Sequence, residues 1–275
     1  RCTMRGRAQG PPLQFAPPNT HPPSPFLPFS FFPFYPFTLP PHPLTTFTLF
    51  DVPAAEWRRG LAQMGTTPAH LRGVPGLRWG RMLGSGVDFG LRPNLRRYAL
   101  LAEWTDEAAA RQFLAADPLL ARFAERGWTW RTTWLQPVQT HGRWDGLAPF
   151  RPAPTTAPLA DHEPVAVLTR AAIRWRRLGA FWRAVPATAR AVAGAPGLQF
   201  SVGLGELPLV RQATVSIWES GALMKQYAYR APEHQQVIKR TRAEGWYEEE
   251  MFARFRVVED ERRLGWSAGL RPAKP

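Results

Sequence analysis

One histidine lies close to several basic residues in the segment YRAPEHQQVIKRTRAEGW, residues 229–246. If a helix begins at Pro232, a favoured first position, then His234 shares one helix face with Val237 and Ile238. Its imidazole then has two interpretations. It is a half-buried, hydrogen-bonded residue of a helix N-terminus, or it is an axial ligand of a metal or haem.

Three basic residues follow this histidine within two helical turns, namely Lys239, Arg240 and Arg242. A guanidinium group binds a carboxylate through two parallel hydrogen bonds, so these cations would suit the anionic propionates of haem. A solvated basic helix face is the alternative. Zinc fits less well, because it needs three or four ligands and the chain has no HxxxH or HExxH spacing.

Composition narrows the class of function. The single cysteine, Cys2, supplies neither a disulfide framework nor a thiolate cluster, so a cytoplasmic location is expected. The net charge of +14 comes from scattered basic residues without an RNA-binding signature, and no nucleic-acid partner is expected. The run GSGVDFG lacks the strand–turn–helix context of a nucleotide loop, and neither a GxSxG nor a Walker sequence occurs. Hydrolase and nucleotide-binding functions are therefore disfavoured.

Residues 1–43 are rich in proline and phenylalanine and contain no acidic residue. Proline excludes a helix here, and the proline-free runs are too short to span a membrane. We expect a disordered arm, or sequence that lies upstream of the true start. A membrane-associating arm is the other interpretation.

The rest of the chain contains two copies of one unit. GVPGLRWGRMLGSG at 73–86 matches GAPGLQFSVGLGEL at 194–207. The tryptophans Trp104 and Trp218 each lie 14 residues before a proline, and a Gly-Trp pair follows in both copies. Two matching units of this length indicate an internal duplication.

Each copy is predicted to follow the order strand, helix, strand, strand, helix, strand, which is the ferredoxin-like pattern. In the first helix, Trp57, Leu61 and Met64 are spaced as the apolar face of a helix. The second helix of each copy is predicted to break at a proline, Pro118 or Pro232. Two such units predict an α+β fold in which tandem ferredoxin-like repeats form an α+β barrel. The predicted boundaries are 44–138 for the first repeat, 139–162 for a linker, 163–258 for the second repeat and 259–275 for a C-terminal tail.

The copies differ in length at two places. The first carries seven more residues between its glycine and tryptophan markers, within SGVDFGLRPNLRR. The second carries four more residues, about one helical turn, between its helix proline and its Gly-Trp pair. His234 lies in that second extension, so only one copy contains the candidate ligand.

Several motifs occur in order over residues 45–258, and together they resemble the spheroidene monooxygenase family of carotenoid biosynthesis. The motifs are FDVPAAEWRRGLAQMG, PGLRWGRMLGSG, RPNLRRYALLAEW, GRWDGLAPF, PVAVLTRA, GLGELPLVRQATVSIW and HQQVIKRTRAEGWYEEEMFARFRVV. The resemblance extends over both repeats and excludes the N-terminal arm and the tail.

The resemblance implies a monooxygenase that contains haem b and uses O2 to introduce a keto group into an acyclic carotenoid such as spheroidene. It implies a reduced ferredoxin-type electron donor, and it implies His234 as the proximal iron ligand. A membrane-derived apolar substrate also implies peripheral contact with the inner membrane. Two other functions remain open on the residues alone: a non-catalytic protein that binds haem or another apolar ligand, and a cofactor-free monooxygenase of the same fold.

Overall fold

The structure is a computed structural model, and it describes residues 43–87, 92–207, 209–230, 239–241 and 243–263. The predicted disordered arm and most of the predicted tail lie outside the described residues. Two of the candidate site residues, His234 and Arg242, also lie outside them, whereas Lys239 and Arg240 lie within.

The first half of the fold alternates strands and helices in the predicted order. Its elements are β1 (Leu44–Asp51), α1 (Trp57–Leu71), β2 (Leu77–Val87), β3 (Arg92–Trp104), α2 (Glu107–Ala116), α3 (Pro118–Glu125) and β4 (Thr129–Gly142). The predicted helix break at Pro118 is confirmed. The Asp117 carboxylate accepts the backbone N–H of Leu119 at 2.8 Å and so caps α3 at its N-terminus.

The second half repeats this order. Its elements are β5 (Val165–Ile173), a 3-10 turn (Trp175–Arg177), α4 (Leu178–Ala193), β6 (Leu198–Leu207), β7 (Arg211–Trp218), α5 (Gly221–Arg230) and β8 (Tyr247–Arg263). The predicted break at Pro232 lies outside the described residues.

All eight strands form one closed antiparallel barrel in the order β1-β3-β2-β6-β7-β5-β8-β4. Each half contributes four neighbouring strands in the ferredoxin-like order, with the first strand between the third and the fourth. The halves join where β2 pairs with β6 and where β4 pairs with β8. The predicted α+β barrel of two ferredoxin-like repeats is confirmed.

The predicted apolar face of α1 is wrong at two of its three residues, since only Met64 packs against the first-half core. Trp57 and Leu61 are exposed, and the buried face is formed by Gly60, Thr67 and Leu71. Gly60 lies against the ring of Tyr98, where an added Cβ would come within 2.7 Å of the ring. The smallest residue marks the contact face because it lets the helix approach the sheet closely, and a search for large apolar residues misses that signal.

The segment between the repeats packs into the barrel. β4 continues to Gly142, beyond the predicted end of the first repeat, and residues further along enter the interior. Trp144 and Phe150 are fully buried there. Both rings meet the Trp79 indole edge to face, with 4.9 and 5.0 Å between the ring centroids. Part of the predicted linker is thus core rather than loose connection.

Candidate functional site

The strand registers define equivalent positions in the two halves. On β1 and β3, Thr48 lies opposite Leu100, and on β5 and β7, Thr169 lies opposite Thr214. The same cross-sheet row continues to Met82 on β2 and to Gly203 on β6. Thr48, Leu100 and Met82 therefore correspond to Thr169, Thr214 and Gly203. These residues point away from the barrel interior, toward the helices, because their strand neighbours belong to the interior core.

At most of these matched helix-facing positions the first half has a large residue and the second a small or polar one, but beside Thr169 the second half has Phe252 where the first has Thr132. The adjacent row of paired strand residues has large side chains in the first half, namely Trp130, Phe50 and Tyr98. Registers place Glu250, Ala171 and Gln212 at the matching positions of the second half. Five bulky side chains are thus replaced by smaller ones at matched positions: Leu100 by Thr214, Met82 by Gly203, Trp130 by Glu250, Phe50 by Ala171 and Tyr98 by Gln212.

Exposure follows this difference in side-chain size. Thr48 is 0% exposed beneath the helices of the first half, whereas Thr169, at the matching position in the middle of β5, is exposed. A central strand is normally covered on both faces in a two-layer fold. We call this space the second-half cleft. We define its floor as Thr169, Thr214 and Gly203, and its helical side, the wall, as α4, which packs against β6 and whose Phe181, Trp182 and Val185 are half-buried.

The wall of the second-half cleft is apolar and incompletely packed. Phe181, Trp182 and Val185 are half-buried, and Val192 is the only residue of α4 that is fully buried. Among the described residues, the buried apolar cluster beneath α4 and α5 has four members, against 18 in the cluster beneath α1, α2 and α3. The described residues of the second half thus form a smaller buried apolar cluster than those of the first.

The polar groups on the floor of this cleft bind one another. The hydroxyls of Thr169 and Thr214 form a hydrogen bond across the two strands. Gln212 is buried, and its amide lies within hydrogen-bonding distance of the backbone of Leu204 and Leu209. Since these groups have partners, an apolar ligand could cover them without leaving buried polar atoms unpaired.

Lys239 and Arg240, predicted to hold an anionic group, are both exposed. Arg240 donates to Glu244 at 2.9 Å and lies over the Trp246 ring at 5.3 Å, so its guanidinium already has a carboxylate partner. The Trp246 indole N–H and then Arg240 hydrogen-bond to Glu244 and lower the pKa of that carboxyl. An exposed pair of this kind contributes little stability, so a ligand carboxylate would compete for Arg240 at small cost.

Two features of the described residues in the second-half cleft suit a bound haem. An apolar wall faces a floor of small residues, and the equivalent space in the first half is filled by Leu100 and Met82. His234 belongs to the same half. Among the described residues, no group of three or more His, Cys, Asp or Glu side chains could hold a metal ion.

Sequence reasoning missed a buried charge network that fastens the linker to the barrel. Arg170 has a side chain that is 1% exposed, and it binds Glu249, Asp145 at 2.9 Å and Glu206 at 3.5 Å. Its guanidinium also lies over the ring of Trp144 at 5.4 Å. A charged residue within the apolar strand PVAVLTRA was the available signal.

The Glu249 carboxylate of this network is held in its charged form, because its pKa is lowered. Burial alone would raise the pKa of Glu249, but hydrogen bonds from the backbone N–H groups of Gly146 and Asp145 and from Arg170 outweigh it and lower that pKa. A charged group so fully engaged by its neighbours is suited to structure rather than to proton transfer. The network therefore fixes the linker to the barrel.

A second cleft, of about 250 Å³, lies between α1 and α3 in the first half. Its lining is mainly polar and basic, and the ring Nε2 of its histidine, His70, is 2.8 Å from Asp117. It lies in the copy that does not contain His234.

None of the helices in the described part of the chain is long and apolar enough to cross a membrane.

Comparison with known proteins identifies the family. A scan against models of protein families gives no match. Spheroidene monooxygenase of Rhodobacter capsulatus is 36% identical over 200 residues, which cover 72% of this chain and 83% of that protein. The chain belongs to the spheroidene monooxygenase family. Spheroidene monooxygenases of Rubrivivax gelatinosus and Cereibacter sphaeroides are 39% and 35% identical over 213 and 201 residues, or 75% and 72% of this chain.

The family predicted from the motifs is thus confirmed, and with it the class, since the family is one of monooxygenases. The aligned part spans 79% of the Rubrivivax protein but only 61% of the length of the Cereibacter protein.

Solved structures agree on the fold. A crystal structure of aldoxime dehydratase matches with a TM-score of 0.54 at 11% identity, over 79% of this chain and 82% of that one. A second aldoxime dehydratase, in complex with butyraldoxime, matches with a TM-score of 0.50 at 10% identity, over 79% of this chain and 80% of that one. At this level of identity the likeness concerns the fold alone.

Proposed function

We propose that this chain is a haem-dependent monooxygenase that introduces a keto group into an acyclic carotenoid such as spheroidene. It would use O2 and electrons from a reduced ferredoxin-type donor. The observation that carries the proposal is the second-half cleft, an open apolar space in the copy that also contains His234. Membership of the spheroidene monooxygenase family supplies the class of reaction and of substrate.

His234 is proposed as the axial ligand of haem b, with Lys239, Arg240 and Arg242 near the propionates. Haem bound in the cleft would supply the oxygen activation that no amino-acid side chain provides. The sequence motif is the support for these residues, and the second support is that their half of the barrel contains the cleft.

The described residues would give the site its shape and exclude water from it. Phe181, Trp182 and Val185 present apolar surface that excludes water, and a dry cavity suits both a hydrocarbon chain and reactive oxygen chemistry. The mutual hydrogen bond of Thr169 and Thr214 pairs one of their two O–H donors within the floor itself. An elongated, apolar carotenoid matches a cleft of this lining better than a polar substrate does.

The absorption spectrum of haem-reconstituted protein tests the site. We expect a Soret band for the full chain, and we expect the band to shift or disappear in His234→Ala while the unfolding midpoint of the haem-free protein stays unchanged. His141→Ala is the matched control, because His141 lies on β4 in the other half, and it should keep the wild-type spectrum. An identical spectrum in wild type and His234→Ala would remove His234 as the ligand.

Turnover separates the proposed enzyme from the two other functions. Haem-loaded protein that leaves spheroidene unchanged with O2 and reductant would be a binding protein. Ketone formation at the same rate without haem would identify a cofactor-free monooxygenase.

A further inference from the structure

An exposed tryptophan among arginines lies between β5 and α4. The four residues Arg174, Trp175, Arg176 and Arg177, here called the RWRR patch, are all exposed, and Trp175 is 73% exposed. The Arg176 guanidinium lies over the Trp175 ring at 4.9 Å. Within the described part of the chain, none of the three arginines forms a salt bridge. The patch therefore presents net positive charge and one large aromatic ring to its surroundings.

The duplicated sequence offers an internal comparison. The first half has the related sequence EWRRG at the start of α1, with Glu56 where the second half has Arg174. There, Arg59 donates to Glu56 at 2.6 Å, and Trp57 is only 36% exposed. The first copy thus pairs one arginine with a carboxylate and partly covers its tryptophan, whereas in the second copy Arg174 donates to the Tyr247 carbonyl at 3.1 Å and Trp175 stays exposed. The difference is specific to the half that contains the second-half cleft.

The RWRR patch lies at one end of that cleft. β5 leads from the floor residue Thr169 to Ile173, directly before the patch, and α4 begins directly after it. The backbone N–H of Ile173 donates to Val210, which places the β6–β7 turn at the same end. In this turn Leu209 is 45% exposed, and its carbonyl accepts the indole N–H of Trp182 on the wall of the cleft. Two exposed apolar side chains and three arginines therefore surround one mouth of the cleft.

We propose that the RWRR patch and Leu209 bind an anionic lipid bilayer and set the mouth of the second-half cleft against it. Tryptophan prefers the boundary between headgroups and acyl chains, and arginine is attracted to anionic headgroups while its stem remains in apolar surroundings. An acidic protein surface would also attract the arginines. It gives no reason for a 73% exposed indole at the same end of the barrel as an exposed leucine, which a bilayer accommodates.

The membrane binding does not depend on the proposed function. Only its consequence, delivery of an apolar substrate from the membrane into the cleft, rests on the proposed function. The binding itself is testable without substrate. The probe is a vesicle of phosphatidylcholine with or without phosphatidylglycerol, and the measurement is co-sedimentation of the full chain at low and at physiological salt.

Wild-type protein is expected to sediment with the anionic vesicles, less so at higher salt, and poorly with neutral ones. Trp175→Ala and the double variant Arg176→Glu/Arg177→Glu should each lower the partition coefficient, the double variant about tenfold or more. The matched controls Trp57→Ala and Arg58→Glu change the related positions of the first half and should leave it within about twofold of wild type.

Three outcomes would overturn the proposal: no binding of wild type to anionic vesicles, equal binding of wild type and the patch variants, or an equal loss in the first-half controls. If the patch variants bind vesicles normally but lose turnover only with a protein electron donor, the patch docks that donor instead. The Soret band of each variant is recorded in the same experiment. A normal band with lost vesicle binding separates a failure of this surface from a failure of the proposed function.

Discussion

Filling the second-half cleft with the side chains of the first half should stabilise the haem-free protein. The double variant Gly203→Met/Thr214→Leu copies Met82 and Leu100, which face each other on β2 and β3. In the first half both side chains are fully buried, so the pair is known to fit beneath helices of this fold. The change adds apolar surface at Thr214, which is half-buried, and at Gly203, which has no side chain of its own.

The sign of the effect separates an open cleft from a packed one. Full burial of a leucine or methionine side chain contributes about 1.5–3 kcal/mol. Because the cleft covers its floor only partly and the unfolded chain already buries some surface, we expect a net gain of about 1–3 kcal/mol for the pair. A second half packed as tightly as the first would instead lose about 1–3 kcal/mol through overpacking.

Urea unfolding followed by far-ultraviolet circular dichroism gives the free energy of unfolding with and without added haem. Haem at about 100 times its dissociation constant should stabilise wild type by about 2.7 kcal/mol, because a ligand of the native state shifts the folding equilibrium. The filled variant should gain almost nothing from haem. A filled variant that is destabilised, or that gains as much from haem as wild type, would refute the assignment of the site.

Gly65→Met is the matched control for the added bulk. Gly65 is exposed on α1 in the first half, and a Cβ there meets no atom within 4 Å. The substitution should stabilise the protein by up to about 1 kcal/mol through helix propensity alone and leave the response to haem unchanged.

Three further predictions concern the frame around the site. Arg170→Met removes the buried guanidinium and leaves the half-buried Glu249 carboxylate without its arginine, so it should lower the free energy of unfolding by about 2–4 kcal/mol in urea titrations; a loss under about 1 kcal/mol would contradict the network's structural role. Because the folded-state pKa of Glu249 is lowered, its contribution to stability is present above its unfolded pKa and lost as pH falls through its folded pKa. Glu249→Gln should therefore flatten the acid limb of a stability-against-pH curve, and an unchanged limb would show that other groups dominate it. Gly60→Ala should cost about 1–3 kcal/mol, since its Cβ would lie 2.7 Å from the Tyr98 ring, whereas Gly65→Ala should stabilise by up to about 1 kcal/mol.

The order of elements could be read from the sequence because the duplication made every landmark appear twice. Paired Pro-Gly turns, tryptophans and Gly-Trp pairs fixed the number and order of strands before any contact was known. The same comparison placed His234 in an extension of the second copy. The helix break at Pro118 followed from the chemistry of proline alone.

Packing could not be read in the same way. The buried face of α1 is marked by Gly60 rather than by large apolar residues, so a helical pattern of Trp57 and Leu61 indicated the wrong side. The insertion of Trp144 into the barrel depends on distant strands, which sequence spacing does not reveal.

The second-half cleft also required the strand registers. The exchange of Met82 and Leu100 for Gly203 and Thr214 becomes visible only when pairing shows that both pairs occupy one row. In the unaligned sequence a glycine and a threonine in a strand carry no such meaning. The roles proposed for His234, Lys239, Arg240 and Arg242 stay predictions that the experiments above address.

The central claim, a haem-dependent carotenoid monooxygenase, is tested most directly by the origin of the oxygen atom in the product. Haem-loaded full chain is incubated with spheroidene, a reduced ferredoxin-type donor and isotopically heavy O2, and the carotenoids are analysed by mass spectrometry. We predict a ketone that carries heavy oxygen, formed with haem-loaded wild type and absent with the Gly203→Met/Thr214→Leu variant. Unchanged spheroidene in the presence of bound haem, or the same ketone from haem-free protein, would contradict the account.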